Sequence, residues 1–155
     1  DFPDETCQKV LAGFLEHYLG HCTDHAECYP GAIEILPMLV PARLCVLTNK
    51  PIEPTLKILD KLALRSHFED VIGGDGDLGR KPNPAAILSL IAKSKTSPER
   101  TLLVGDTSVD VLTARNCGCK VAGVQFGFRP GDFINYPPDS LLGPFPALPG
   151  LLPAR

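Results

Sequence analysis

Apolar positions along the chain follow two different patterns, which change at about residue 29. In residues 9–19 apolar side chains recur every three or four positions, as on one face of an amphipathic helix. A polar, glycine-containing stretch and the segment Tyr29-Pro30-Gly31 then interrupt this period, which indicates a linker. A short helix is predicted at 32–39, before Pro41.

From residue 43 onward, short apolar runs alternate with amphipathic helical runs. The pattern predicts strands at 44–48, 71–73, 101–105 and 121–124, and helices near 52–64, 84–94 and 108–117. Such alternation is typical of a parallel sheet with helices on both faces, and the unbroken apolar strands indicate burial on both sides. We therefore predict an α/β fold with a doubly wound parallel sheet. A further short strand is expected near 140–142, within a proline-rich segment.

Composition places the chain among ordinary globular proteins. Of its 155 residues, 44% are hydrophobic and 21% are charged. A chain of this length is long enough to form one domain with its own hydrophobic core. The net charge of −3 gives no electrostatic reason to expect nucleic acid or an anionic membrane as a partner. The N-terminal residues lack the order of a signal peptide, and the apolar stretch at 140–154 contains four prolines. These features predict a soluble, cytoplasmic protein.

Six cysteines occur without any Cys-x-x-Cys pair. The spacing His21-Cys22-x2-His25-x2-Cys28 is compatible with zinc ligands. Gly20 and the polar stretch that follows it favour a loose connector instead. The connector is the preferred interpretation, and zinc binding is the alternative.

Polar side chains follow three of the predicted strands directly. Because ligands of parallel sheets bind beyond the carboxyl ends of the strands, these residues are the first candidates for a site. They are Thr48, Asn49 and Lys50 after the first strand, Lys81 in a glycine-rich segment after the second, and Asp106 and Asp110 after the third. Hydroxyl, amide and ammonium groups suit a phosphate, whereas carboxylates suit a hard cation such as Mg²⁺. The set favours phosphoryl-transfer chemistry.

Each of these residues also has an ordinary structural interpretation. Thr48 is compatible with a strand end, Asn49 with a turn and Lys81 with a solvated loop. Asp106 could cap the following helix, and Asp110 could be an acid in its first turn. The glycine-rich segment at 73–82 fits neither a P-loop nor a calcium-binding loop. It is the occurrence of all these residues at strand ends, in this order, that favours a functional site.

Five short segments carry a resemblance to a known family. They are Tyr29-Pro-Gly-Ala, Val46-Leu-Thr-Asn-Lys-Pro51, Gly73-Gly-Asp75, Lys81-Pro-Asn-Pro84 and Leu103-Val-Gly-Asp-Thr-Ser-Val-Asp110. In this order they resemble the haloacid-dehalogenase-like hydrolases, and within them the phosphoglycolate phosphatases. The resemblance covers about residues 29–130. It implies a Rossmann-like core at 29–155 that lacks its first strand, with residues 1–28 as the C-terminal part of a helical cap.

The resemblance implies a phosphatase that hydrolyses a small phosphomonoester, 2-phosphoglycolate, through an aspartyl-phosphate with Mg²⁺. Thr48 and Lys81 match catalytic residues of the family, and together with Asn49 they match its phosphate-binding positions. Asp106 matches an Mg²⁺ ligand and Asp110 a supporting acid near the metal. Two alternatives stay open: a non-catalytic phosphate- or partner-binding protein of the same fold, and a phosphomutase of the same superfamily. The oligomeric state is also left open.

One departure from the family concerns the nucleophile. The family attacks phosphorus with the first aspartate of an Asp-x-Asp motif, and no such motif occurs before Thr48. In the family this motif follows a central strand, which lies between the strands that end here at Thr48 and Gly105. Loss of that strand alone would leave two inner strand edges unpaired, which is costly. We therefore expect a truncated or partial chain, with a non-catalytic protein as the alternative.

Overall fold

The computed structural model describes residues 4–152. Its α-helices are α1 (Asp4–His21), α2 (Ala32–Ile35), α3 (Ile52–Lys61), α4 (Ala85–Lys93) and α5 (Ser108–Cys117). Its strands are β1 (Cys45–Leu47), β2 (Asp70–Ile72), β3 (Leu102–Gly105), β4 (Lys120–Val124) and β5 (Ser140–Leu142). Short 3-10 helices connect several of them, the longest at Phe145–Leu151. No helix in this part of the chain combines the length and apolar character needed to cross a membrane.

The strands pair in parallel, which confirms the predicted α/β class. β1 pairs with β2, with Cys45 opposite Asp70, and the ladder continues one residue beyond β1 because the Thr48 amide donates to the Ile72 carbonyl at 3.0 Å. β4 lies between β3 and β5 in a second parallel sheet. Parallel strands need crossover connections, and α3, α4 and α5 occupy those positions in the chain.

The five described strands form two sheets, because β1 and β3 are not hydrogen-bonded to each other. Leu47 and Leu103 nevertheless pack against the same apolar cluster, so both sheets rest on one layer of helices. We call the edge of β1 away from β2 and the edge of β3 away from β4 the inner edges. Among residues 4–152 no strand pairs with either inner edge.

The predicted burial of all strands on both sides is wrong for three of them. β4 is buried beyond its first residue, whereas every residue of β1, β2 and β3 is only half-buried. The physical reason lies in the coverage of each strand. β4 has a strand on each side, while β1, β2 and β3 are each paired along one edge only.

The core consists of two clusters on opposite faces of the three-stranded sheet. Val121 faces the side that carries α4 and α5, together with Ile87 and Val111. The next strand residue, Ala122, faces the other side, where Leu39 and other apolar side chains cover it. Alternate residues of β4 therefore point to alternate faces, and both faces are covered, as a doubly wound sheet requires.

Predicted and observed helices agree most closely where the capping residues are clear. The predicted helix at 108–117 is observed with the same limits, between Thr107 and Gly118, whose φ of 78° is left-handed. The helix expected at 32–39 is α-helical only to Ile35 and continues as a 3-10 helix that contains Pro37. α1 extends beyond the predicted 9–19 at both ends and contains no buried residue.

Candidate functional site

The asparagine after β1 joins this loop to the lysine segment after β2. The Asn49 side-chain amide donates to the Lys81 carbonyl at 3.0 Å, and the Lys81 amide donates to Asn49 Oδ1 at 2.7 Å. Both polar atoms of Asn49 are thus engaged with one backbone unit. Asn49, predicted as a phosphate-binding residue, therefore holds Lys81 in place through its side chain.

Lys81 joins this pair to the third predicted cluster. Its ammonium lies 2.6 Å from Asp110 Oδ1, and the two side chains are only 14% and 6% exposed. A buried charge needs a partner of opposite sign, and each member of this pair supplies that partner to the other. The loops after β1, β2 and β3 are therefore linked by direct contacts.

Asp110 is the centre of the hydrogen bonds in the loop after β3. Its Oδ2 accepts from the backbone amides of Asp106 and Thr107 at 3.2 and 3.1 Å, and from the Thr107 hydroxyl at 2.8 Å. The Asp110 side chain also fills the space beside Gly105, where an added Cβ would lie 2.3 Å from the Asp110 carboxyl carbon. Because both of its oxygens are already bonded, Asp110 shapes the loop that carries Asp106.

Thr48 directly follows β1, and its hydroxyl oxygen takes part in the turn that begins there. Its Oγ1 accepts a hydrogen bond from the Lys50 amide at 3.1 Å, which leaves the hydroxyl hydrogen available for an acceptor. Two further hydrogen bonds connect the turn after β1 to the segment after β2. The Gly74 amide donates to the Lys50 carbonyl at 2.8 Å, and Asp75 Oδ1 accepts from the Ile52 amide at the start of α3.

Asp106 lies against a segment that the sequence did not indicate. Its Oδ2 accepts from the Phe128 amide at 2.8 Å, and a Cβ on Gly127 would lie 2.2 Å from the Asp106 Cβ. A few residues on, Asp132 accepts from Ser108 at the start of α5. Hydrogen bonds from the Ser108 hydroxyl and amide hold the pKa of Asp132 below its ordinary value. These residues lie in a proline- and glycine-rich stretch with no periodicity, so no sequence signal pointed to them.

The arrangement at Asp106 fits a magnesium ion with few protein ligands. Asp106 Oδ1 forms none of the hydrogen bonds seen within residues 4–152, and it can bind a cation. Mg²⁺ commonly takes one or two carboxylates and completes its shell with water and substrate phosphate oxygens. The described residues include no group of three or more histidine, cysteine or acidic side chains arranged to hold a metal. Accordingly, the zinc alternative at residues 21–28 gains no support; His21 Nδ1 instead lies 2.8 Å from Asp24.

A family model for haloacid dehalogenase-like hydrolases matches residues 2–124 of the chain. Among curated proteins, the phosphoglycolate phosphatase of Rhodospirillum rubrum is 38% identical over 130 residues, covering 83% of this chain and 54% of that protein. The phosphoglycolate phosphatase of Agrobacterium fabrum is 33% identical over 150 residues, covering 96% and 64%. The chain therefore spans just over half to about two thirds of these relatives' length.

Solved structures share this backbone arrangement. A crystal structure described as a predicted phosphoglycolate phosphatase from Haemophilus somnus superposes with a TM-score of 0.90 at 25% identity. The match covers 97% of this chain and 68% of that one. The backbone path of this chain is therefore found within a longer protein of the same fold.

Proposed function

The chain belongs to the haloacid dehalogenase-like hydrolase family, and we propose from this premise that it provides the phosphate- and metal-binding part of a phosphatase for a small phosphomonoester. 2-Phosphoglycolate is the substrate favoured by the names of the relatives. One observation carries the proposal. A continuous set of contacts runs from Asn49, next to Thr48, through Lys81 and Asp110 to the backbone of Asp106.

The positively charged and hydroxyl groups of the site would hold the phosphoryl group. The Thr48 hydroxyl would donate to one phosphoryl oxygen. The Lys81 ammonium has three protons, of which one is directed to Asp110, so the others can reach an anion. In this position Lys81 would offset negative charge that develops on the phosphoryl oxygens during transfer.

Asp106 is the proposed protein ligand of Mg²⁺, through Oδ1. When bound there, the ion would neutralise charge on the phosphoryl oxygens and hold the phosphate for in-line transfer. Asp110 would not bind the ion directly. It would fix the position of Asp106, since its Oδ2 accepts hydrogen bonds from the Asp106 and Thr107 amides.

We propose that the nucleophile is an aspartate on a strand paired between the two inner edges. Backbone geometry supports such pairing. In a strand the backbone groups of successive residues point to opposite edges. The Thr48 amide is bonded to β2, and the Thr101 carbonyl accepts from Lys120 at the start of β4. The residues an odd number of positions from these two therefore direct their amides and carbonyls to the inner edges. The backbone groups that point there belong to Cys45 and Leu47 of β1 and to Leu102 and Val104 of β3.

The chemistry would take place in two displacements at phosphorus. A carboxylate oxygen of the aspartate forms a bond to phosphorus while the ester P–O bond breaks, and a general acid gives a proton to the leaving alkoxide. Water then attacks phosphorus, which releases inorganic phosphate and restores the carboxylate. The proton of that water passes to a base.

We also propose that residues 1–28 form part of a helical cap and that residues 29–155 form the core, although 1–3 and 153–155 lie outside the described residues. The surface of α1 supports the first assignment. None of its residues is buried, and Val10 and Phe14 are 68% and 60% exposed. An apolar helical face of this kind is typical of a helix that packs against others.

Turnover by the protein isolated from its own cells tests the proposal. We expect Mg²⁺-dependent release of phosphate from 2-phosphoglycolate, measured colorimetrically and abolished by a chelator. Asp106→Asn should lower the rate by at least about 100-fold, since it removes the charged ligand. Asp77→Asn changes an exposed acid in the loop after β2 and is the matched control.

The outcomes separate the alternatives. Near-normal turnover by Asp106→Asn would exclude the assigned metal ligand. Binding of inorganic phosphate without turnover would support the non-catalytic alternative, and isomerisation of a phosphate ester without phosphate release would support a mutase.

Lys81→Ala should lower kcat more than it raises KM if the ammonium acts mainly in the transition state.

A further inference from the structure

Asp132 is fixed against the start of α5 by two hydrogen bonds to one of its oxygens. The Ser108 amide and hydroxyl donate to Asp132 Oδ2 at 3.0 and 2.7 Å. Ser108 is the first residue of α5 and follows Asp106 by two positions. An acid at this position interacts favourably with the free amides of the helix N-terminus.

The same segment touches Asp106 a few residues earlier. The Phe128 amide donates to Asp106 Oδ2, and Gly127 approaches Asp106 so closely that any side chain there would overlap it. The 127–132 segment therefore contacts the loop after β3 at two points, one on each side of Thr107. We call residues 127–132 the clasp.

The clasp is anchored in the core directly after Asp132. Phe133 is 9% exposed and belongs to the cluster that includes Val111 of α5. Its ring packs so tightly on β4 that a Cβ on Gly123 would lie 2.7 Å from it. The position of Asp132 is therefore set by packing, and Asp132 in turn limits where the Phe128 amide can lie.

We propose that Asp132 is a positioning residue that sets the orientation of the Asp106 carboxylate toward Mg²⁺. This inference rests on the proposed function, because it takes Asp106 as the metal ligand. Among the described residues the Phe128 amide engages Asp106 Oδ2 and no hydrogen bond engages Oδ1, so this contact determines which oxygen is available to the ion. Residues that orient a metal ligand typically change metal affinity by about 10–100-fold when they are removed.

The test uses the whole chain and Mn²⁺ as a paramagnetic substitute for Mg²⁺. Mn²⁺ broadens the NMR signals of nearby amides, so its affinity and place of binding are read without turnover. We expect Asp132→Ala to weaken Mn²⁺ binding by about tenfold and to shift the Phe128 amide signal. Asp132→Asn should restore both, because one amide oxygen can accept both hydrogen bonds from Ser108.

Asp139→Ala is the matched control. Asp139 also accepts a backbone hydrogen bond, from the Val121 amide at 2.8 Å at the start of β4, but none of its hydrogen bonds within residues 4–152 reaches the clasp. It should lower the unfolding temperature without changing Mn²⁺ affinity. If Asp132→Ala likewise lowers stability alone, Asp132 is only a structural cap and the inference is overturned.

A different NMR result would contradict the proposed function itself. If Mn²⁺ does not broaden the amides around Asp106 in the unmodified chain, and Asp106→Asn changes nothing, the metal assignment itself is wrong. The role of Asp132 toward the metal is then wrong as well. Normal Mn²⁺ binding that is insensitive to Asp132→Ala overturns the positioning role alone.

Discussion

At the scale of single residues, the buried pair of Lys81 and Asp110 determines how the site is organised. Lys81 is proposed to offer charge to a ligand, while both carboxylate oxygens of Asp110 are bonded inside the protein. A buried ion pair contributes little more to stability than well-packed apolar residues of similar volume would. Removing one partner, however, is strongly destabilising because it leaves an unpaired buried charge. The pair is therefore better explained by the position that it imposes on Lys81 and on the Asp106 loop.

Asp110→Asn should lower the free energy of unfolding by about 3–5 kcal/mol, because Lys81 loses its counter-charge and the amide nitrogen faces a hydrogen-bond donor in either orientation. Urea denaturation measures the change. Lys81→Met in the Asp110→Asn background should recover part of the loss, since no unpaired charge remains. As a control, Asp70→Asn breaks the more exposed Lys93–Asp70 pair and should cost at most about 1 kcal/mol. Equal losses for the two asparagine variants would contradict this account of Asp110.

At the scale of elements, α5 shows how end signals define a helix that presents a site. Thr107 and Asp110 bond to each other at its start, and Gly118 closes it with a left-handed φ of 78°. Its first turn places Asp110 beneath the Asp106 loop. A register shift of this helix would separate Asp110 from Lys81, so the caps matter for the site as well as for stability.

Gly118→Ala should destabilise the protein by about 1 kcal/mol, because a side chain is strained at this φ. Space does not limit the change, since the added Cβ would meet only Pro98 at 3.8 Å. Gly13→Ala, in α1 with no atom near the added Cβ, is the control. It should leave stability unchanged or raise it by about 0.5–1 kcal/mol. A neutral result for Gly118→Ala would show that the C-terminal cap tolerates another conformation.

At the scale of the whole molecule, the main feature is the pair of inner edges on β1 and β3. Two parallel sheets share one helical layer, yet the described strands leave these edges unpaired. Unpaired edges expose amides and carbonyls that can pair with another strand. The partial burial of β1 and β3 has the same origin.

Hydrogen exchange measured by NMR should show this division directly. The amides of Cys45, Leu47, Leu102 and Val104 should exchange roughly tenfold faster than those of Thr48 and Leu103, since a ladder bond contributes about 1 kcal/mol. In a form of the protein with a strand between the inner edges, the first group should become protected. Equal protection of both groups in this chain would show that the inner edges are already covered.

Periodicity and end signals in the sequence were enough to predict the fold class, the parallel strands and the limits of α5. Local patterns suffice there because helices and buried strands depend on which face is apolar and on the residues that cap them. The candidate site residues Thr48, Lys81, Asp106 and Asp110 could also be named in advance, since they directly follow or closely succeed predicted strands. Their functional roles remain predictions.

Only the tertiary structure decided how these residues are used. It assigned both polar atoms of Asn49 to the Lys81 backbone, bonded both oxygens of Asp110 within the protein, and brought the clasp onto Asp106. The residues in these contacts are separated along the chain by up to 32 positions and follow no period. Such contacts depend on how loops pack once the sheets have formed, and local sequence patterns do not predict that packing.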